Sequence, residues 1–342
     1  MQGAVRRVVA FAAIAFACSG CLATEAARTG RLFGSYVDTG HGVSTAYHER
    51  LKEFSLLEVW SSWAQLEPRD NAWNFAGTDR QFKLVRSLGA DAKSSALVWA
   101  SSDRYTPAYV RALAPDQLRA ELQQHIRTFV RRYPGVRVWN IVNEPFNGDG
   151  SLRDNVFRQK LGDAYIRVAA RAAYAANPRA TFVAINEYNA DSVNQKSTAM
   201  LAYYRRFLVG AIPSAHLAVG LQMHMDTCAG PFVNPSSISV GKNIARFAGA
   251  DVRVHITEMD YGVRCVPGTL AQKLDAQRRK FHDITAACVA VPRCQSISTW
   301  GVGDADSWFR WSLHDADWPL LFDDGYNPKP GYDGVVEALN RR

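Results

Sequence analysis

The chain has 342 residues, 47% of them hydrophobic and 21% charged, and a formal net charge of +8. That length suits one large α/β barrel, and the ordinary balance of apolar and charged residues excludes a disordered chain and a multispanning membrane protein. With 24 Gly and 14 Pro the chain is not collagen-like or proline-rich, and its positive charge comes with no zinc-finger or RNA-recognition motif, so no nucleic-acid partner is expected.

Arg6 and Arg7 precede an apolar run, Val8 to Ala17, that is too short to span a bilayer as a mature helix. Small residues follow, then Cys21. Ser19-Gly20-Cys21 resembles the end of a bacterial lipoprotein signal, although Cys18 stands where an aliphatic residue is usual. Residues 1–20 are therefore expected to be a signal peptide. Cys21 would be the lipidated mature N-terminus, 21–31 a short linker and 32–342 the folded domain. The expected location is an outer-membrane or cell-surface lipoprotein or, after plain cleavage, a secreted or periplasmic protein. Beyond this segment lie Cys228, Cys265, Cys288 and Cys294. An even number in an exported chain suggests two disulfides, with three connectivities open. No Cys-x-x-Cys occurs among them, so a zinc site is not expected.

Short apolar or β-branched runs then alternate with longer amphipathic stretches. The runs are Leu32–Val37, Leu56–Trp60, Ser95–Trp99, Val136–Val142, Thr181–Ile185, Leu217–Met223, Val252–Thr257 and Ser296–Trp300. Between them Pro115–Arg132 carries Leu118, Leu122, Ile126 and Phe129 on one helical face. Leu161–Ala176 and Leu270–Cys288 read the same way. Strand and helix in alternation imply a parallel sheet, because parallel strands need crossovers. Eight such units predict a single-domain α/β protein, a (β/α)8 TIM barrel, with its site at the C-terminal strand ends. An open doubly wound sheet would call for a Gly-rich phosphate turn after an early strand, and none is present.

Two of these strand ends carry carboxylates. Val138-Trp139-Asn140-Ile141-Val142-Asn143-Glu144-Pro145 ends the fourth run, and Val254-His255-Ile256-Thr257-Glu258-Met259-Asp260 ends the seventh. Two carboxyl groups facing one another across a cleft are what glycoside hydrolysis requires: one protonates the departing oxygen, the other attacks the anomeric carbon or activates water.

With these residues in place the sequence resembles glycoside hydrolase family 10, the endo-1,4-β-xylanases, from about Leu32 to Leu339. The strongest pieces are Trp139–Asn147, Ile185–Asn189, Gly220–His224, Ile256–Asp260, Trp300–Trp308 and Pro319–Leu339. The resemblance implies a retaining, double-displacement endo-β-glycanase with Glu144 as acid/base and Glu258 as nucleophile. It implies that Asn143 binds the 2-hydroxyl of the cleaved sugar, that Gln222 and His224 support the nucleophile, and that Asp260 orients His224. Trp300 and Trp308 would wall the sugar site, Tyr188 would lie on the leaving-group side, and Glu58 and Trp99 would contact substrate. Glu67 is expected to be structural, and Glu187, where the family usually has Asp, to lie behind the site. Cys288 and Cys294 match a short disulfide loop of some members, which pairs Cys228 with Cys265. A polysaccharide or oligosaccharide is the expected partner of a monomeric enzyme needing no cofactor and no metal.

The departures concern the non-reducing side of the cut. Where the family has Asn, Lys and two His, this chain has Val59, Ser62, Ser95 and Ala100, and Asn140 replaces an Asp. Each missing hydrogen bond is worth about 0.5–1.5 kcal/mol. A wider, more apolar subsite is expected, with Trp60, Trp63 and Trp99 nearby but not all facing the cleft, since strand residues alternate sides. Two further readings follow: a hydrolase of another β-linked polymer, such as a bacterial exopolysaccharide, and a carbohydrate-binding surface lipoprotein without turnover.

Overall fold

The computed structural model describes residues 21–38, 44–313 and 317–341. The expected signal peptide, residues 1–20, lies outside the described residues. Among the described residues ten strands form: β1 (Leu32–Tyr36), β2 (Leu56–Trp60), β3 (Asp91–Ser95), β4 (Val98–Trp99), β5 (Val136–Asn143), β6 (Thr181–Glu187), β7 (Leu217–Leu221), β8 (His224–Asp226), β9 (Arg253–Gly262) and β10 (Cys294–Thr299). Eight of them pair in parallel in the order β10-β1-β2-β3-β5-β6-β7-β9, and β9 pairs with β10 to close the ring. The short β4 and β8 prolong β3 and β7 beyond a bend and pair with β5 and β9. This is the expected (β/α)8 barrel.

The helix Pro115–Arg132 has the predicted span, with Pro at its first turn and Leu118, Leu122, Ile126 and Phe129 fully buried against the barrel. The stretch read as a helix, Leu161–Ala176, is helical from Tyr165, and its first residue closes a separate short helix. Val156–Leu161 ends at Gly162, whose φ of 73° is left-handed and comfortable only for glycine, and Tyr165–Ala176 starts afresh.

The expected third strand, Ser95–Trp99, is also corrected. The barrel strand is Asp91-Ala92-Lys93-Ser94-Ser95, too polar for an apolar-run search to find. It is nonetheless buried, and its register with β2 sets Lys93 directly beside Glu58. The barrel interior is thus layered. Leu56, Val138, Val183 and Ala218 form an apolar floor, and above it Lys93 Nζ lies 2.5 Å from Glu58 Oε2 in a fully buried ion pair.

Segment 21–31, read as a linker, is corrected to a helix, Leu22–Arg28, that runs into β1. Leu22 and Ala26 are buried in the core, so this segment has apolar surface to cover that a linker would lack. Disulfides join Cys228 to Cys265 and Cys288 to Cys294, with Cα separations of 5.0 and 5.3 Å. The first ties the loop after β8 to the loop after β9; the second ties the last turn of Leu270–Val289 to the start of β10. Among the described residues no helix is long and apolar enough to cross a membrane.

Candidate active site

At the C-terminal ends of the strands one cleft is lined by Trp99, Asn143, Glu144, Tyr188, Gln222, His224, Glu258, Trp300 and Trp308, all read from the sequence as site residues. Trp60, Ser95, Ala96 and Phe232 complete the lining.

Glu144 follows directly on β5. Its φ of 54° is left-handed, an unusual state for a residue with a side chain, and its N–H is held by the Asn186 carbonyl at 2.9 Å. Four donors approach its carboxyl group. Asn143 Nδ2 and Gln222 Nε2 lie 3.1 and 3.4 Å from Oε1, while Trp99 Nε1 and Ser101 Oγ lie 3.2 and 2.7 Å from Oε2.

Glu258 stands on β9. Asn186 Nδ2 donates to its Oε1 at 2.5 Å, and His224 Nε2 lies 3.1 Å from its Oε2. The other ring nitrogen of His224 lies 3.0 Å from both oxygens of Asp260, whose Oδ2 also accepts from Trp308 Nε1 at 2.9 Å. Ionised carboxylates only accept, so a ring between two of them needs a proton on each nitrogen. Burial alone would lower the His224 pKa, but Asp260 and Glu258 together outweigh it and raise it to about 10. His224 is therefore a buried cation, and its Nε2–H donates to Glu258 Oε2.

Asn186 links the two acids. Besides Glu258 its amide donates to Asn143 Oδ1 at 2.8 Å, and its Oδ1 accepts from Thr257 Oγ1 at 2.6 Å. Gly220 makes room for it: a Cβ there would come within 2.3 Å of Asn186 Oδ1. The motif around Asn186 is visible in the sequence, but its reach across the barrel to Glu258 is set by strand register alone.

Tyr188 receives a hydrogen bond from Arg153 Nη2 at 2.7 Å, with Lys196 Nζ 3.9 Å from its ring centre. Glu187 lies behind the cleft as expected, fully buried, bonded to Lys196 Nζ at 2.7 Å and to the Phe146 N–H at 2.9 Å. Glu67 is buried away from the cleft against His125 Nδ1, at 2.9 Å. Trp300 stacks on Tyr36 with ring centres 4.6 Å apart.

Glu58 is corrected. It does not line the cleft but lies below its floor, bonded to Lys93 and, at 3.3 Å, to Asn140 Nδ2. Burial raises its pKa, Lys93 pulls it back, Glu258 adds to the rise, and the net shift is upward, to about 7. The altered positions scatter as well. Val59 belongs to the core outside the barrel, as strand alternation with Glu58 requires. The Ser62 hydroxyl caps the short helix Trp63–Leu66. Ala100 is buried, and only Ser95 reaches the cleft. Trp60 and Trp99 face the cleft, whereas Trp63 is buried against His125 with ring centres 3.9 Å apart.

Comparison with known proteins agrees with this geometry. The family described as Glycosyl hydrolase family 10 matches residues 21–338. An endo-1,4-beta-xylanase of Agaricus bisporus is 32% identical, over 98% of this chain and 99% of its own length. Endo-1,4-beta-xylanase A of Phanerodontia chrysosporium is 31% identical, over 92% of this chain and 76% of its own. Among solved structures, native xylanase 10B of Thermotoga maritima superposes with a TM-score of 0.83 at 26% identity, covering 93% of this chain and 98% of that one.

Proposed function

The chain belongs to glycosyl hydrolase family 10, and from that premise we propose that Glu258 and Glu144 divide the work of a double displacement. The protein is a glycoside hydrolase of the endo-xylanase type, acting on a β-linked polysaccharide. In the first step a lone pair of the Glu258 carboxylate bonds to the anomeric carbon. The glycosidic C–O bond breaks toward the leaving oxygen, which takes the proton of Glu144. In the second step Glu144, now a carboxylate, takes a proton from the water that displaces Glu258. The observation that carries this reading is the clamp on Glu258 by the His224 cation and the Asn186 amide. Asn143, bonded to Glu144 and to Asn186, would bind the 2-hydroxyl. Gln222 would steady the same end of the sugar, Trp300 and Trp308 would wall it, and Tyr188 would meet the leaving group.

On the non-reducing side Trp60, Ala96 and Trp99 offer apolar faces to the cleft. This favours a substrate carrying side groups or another backbone sugar, including a bacterial exopolysaccharide. Reducing-sugar release from a glycan panel is expected to be slower on unsubstituted xylan than on a decorated or different β-glycan. Cleavage of plain xylan at least as fast as the rest of the panel would remove this reading, and binding without any release would favour a lectin-like role.

Export through residues 1–20, with lipidation of Cys21, is part of the same proposal. The helix Leu22–Arg28 begins directly after Cys21, so an anchor there would hold the barrel close to the bilayer. Cys21→Ser is expected to shift the protein from the membrane to the soluble fraction, and unchanged partitioning would speak for plain secretion.

A further inference from the structure

Ser101 entered none of the sequence motifs, yet its hydroxyl makes the shortest contact to Glu144, 2.7 Å to Oε2. The other three groups on that carboxyl are amide and indole N–H groups of Asn143, Gln222 and Trp99. Those atoms can only donate. A hydroxyl can donate to a carboxylate and turn to accept from, or stand aside for, a protonated carboxyl group. Ser101 is thus the one partner among these four that suits both states through which an acid/base must pass.

The loop that carries it is pinned on both sides. Just before Ser101 the Ala100 N–H donates to the Asn143 carbonyl at 2.9 Å, tying the loop to the strand that delivers Glu144. Just after it, the Ser102 hydroxyl accepts the Arg104 N–H at 3.2 Å, and Tyr105 stacks on Trp99 with ring centres 4.0 Å apart. The hydroxyl is therefore held at a set distance from Oε2.

We propose that Ser101 is a positioning residue for the acid/base, a hydroxyl that holds the Glu144 carboxyl in line with the glycosidic oxygen in both protonation states. The proposal rests on the reading of Glu144 given above. As the glycosidic bond breaks, the leaving oxygen takes the Glu144 proton, and the Ser101 O–H donates to the carboxylate that remains. When that carboxylate takes a proton from the attacking water, the Ser101 hydroxyl rotates so that its oxygen accepts from the carboxyl group, which stays in place. Without it the carboxyl group is free to rotate toward Gln222 and Asn143, and proton delivery suffers while the Glu258 attack does not.

The test uses kcat/KM, which reports the first step, on a pair of aryl β-xylobiosides: one with a dinitrophenyl leaving group that departs without a proton, one with an unactivated phenyl group that needs it. General acid catalysis contributes about 10²–10⁴-fold, so Ser101→Ala is expected to lose about tenfold more on the phenyl than on the dinitrophenyl substrate. The alkaline limb of its pH profile should move to higher pH, because a donor to the carboxylate is gone. Ser101→Thr should restore both. Ser101→Cys, of nearly unchanged volume but a poorer donor, should show the same split more weakly, and it serves if the alanine variant does not fold. Glu144→Ala is the control. If it shows no dependence on the leaving group, the reading of Glu144 falls and this proposal with it. If it does, but the serine variants lose equally on both substrates with the alkaline limb in place, Ser101 is only structural and the proposal is overturned.

Discussion

Glu258→Ala is expected to lower turnover on a natural glycan by four orders of magnitude or more, on the order of the loss when a covalent nucleophile is removed. Among the described residues no other carboxylate is placed to substitute for it. Glu144 is engaged by four donors on the other wall, Asp260 is bound to His224 and Trp308, and Glu58 lies beneath the floor beside Lys93. The same mechanism requires the wild-type enzyme to release product with the anomeric configuration of its substrate, which NMR reads directly during the first turnovers. It also requires the two carboxyl groups to be roughly 5–5.5 Å apart rather than the wider spacing of an inverting pair. An inverted first product, or a Glu258→Ala enzyme within tenfold of wild type, would refute the assignment. Thermal unfolding of the variant separates lost chemistry from lost fold.

Lys93→Met carries the largest expected effect on stability. Lys93 and Glu58 are each about 1% exposed in their side chains, so removal of the cation strands a carboxyl group in the barrel interior. Breaking a buried pair in this way costs about 3–5 kcal/mol, and the sign of its pH dependence follows from Glu58. The Glu58 pKa is raised in the folded chain to about 7, from an ordinary value of 4.5. Between those values the folded state holds a proton that the unfolded state has released. The group's contribution to stability is therefore fully present below pH 4.5 and is lost as the pH rises through about 7. Removal of Lys93 takes away the largest influence that favours the charged form. The deficit of Lys93→Met relative to wild type is accordingly expected to be smaller at pH 5 than at pH 8 in urea unfolding. The double variant Glu58→Leu, Lys93→Met should recover most of the loss, because an apolar pair needs no counter-charge. A deficit independent of pH, or a double variant no better than the single one, would show that the pair does not act as described.

Much of the molecule was legible in the amino-acid order because two signals are local. Short apolar or β-branched runs alternating with amphipathic stretches specify a barrel, and a carboxylate just past an apolar strand is carried to the rim wherever that strand closes. Glu144 and Glu258 follow from this, while His224 and the aromatic wall came from the family resemblance. Tertiary structure alone decided which face of each strand points inward and what meets it there. Strand alternation says that Glu58 and Val59 face opposite ways, but only closure of the ring turns Glu58 inward and Val59 outward, away from any sugar. The polar strand Asp91–Ser95 had no apolar signal, because its stability depends on Lys93 meeting Glu58 across the register. The helix after Cys21 needed the barrel's apolar surface to dock on. Asn186 and Ser101 reach their carboxylates across 72 and 43 residues of chain. Contacts of that span leave no pattern in a single sequence, since they depend on how the strands are staggered rather than on which residues are neighbours along the chain.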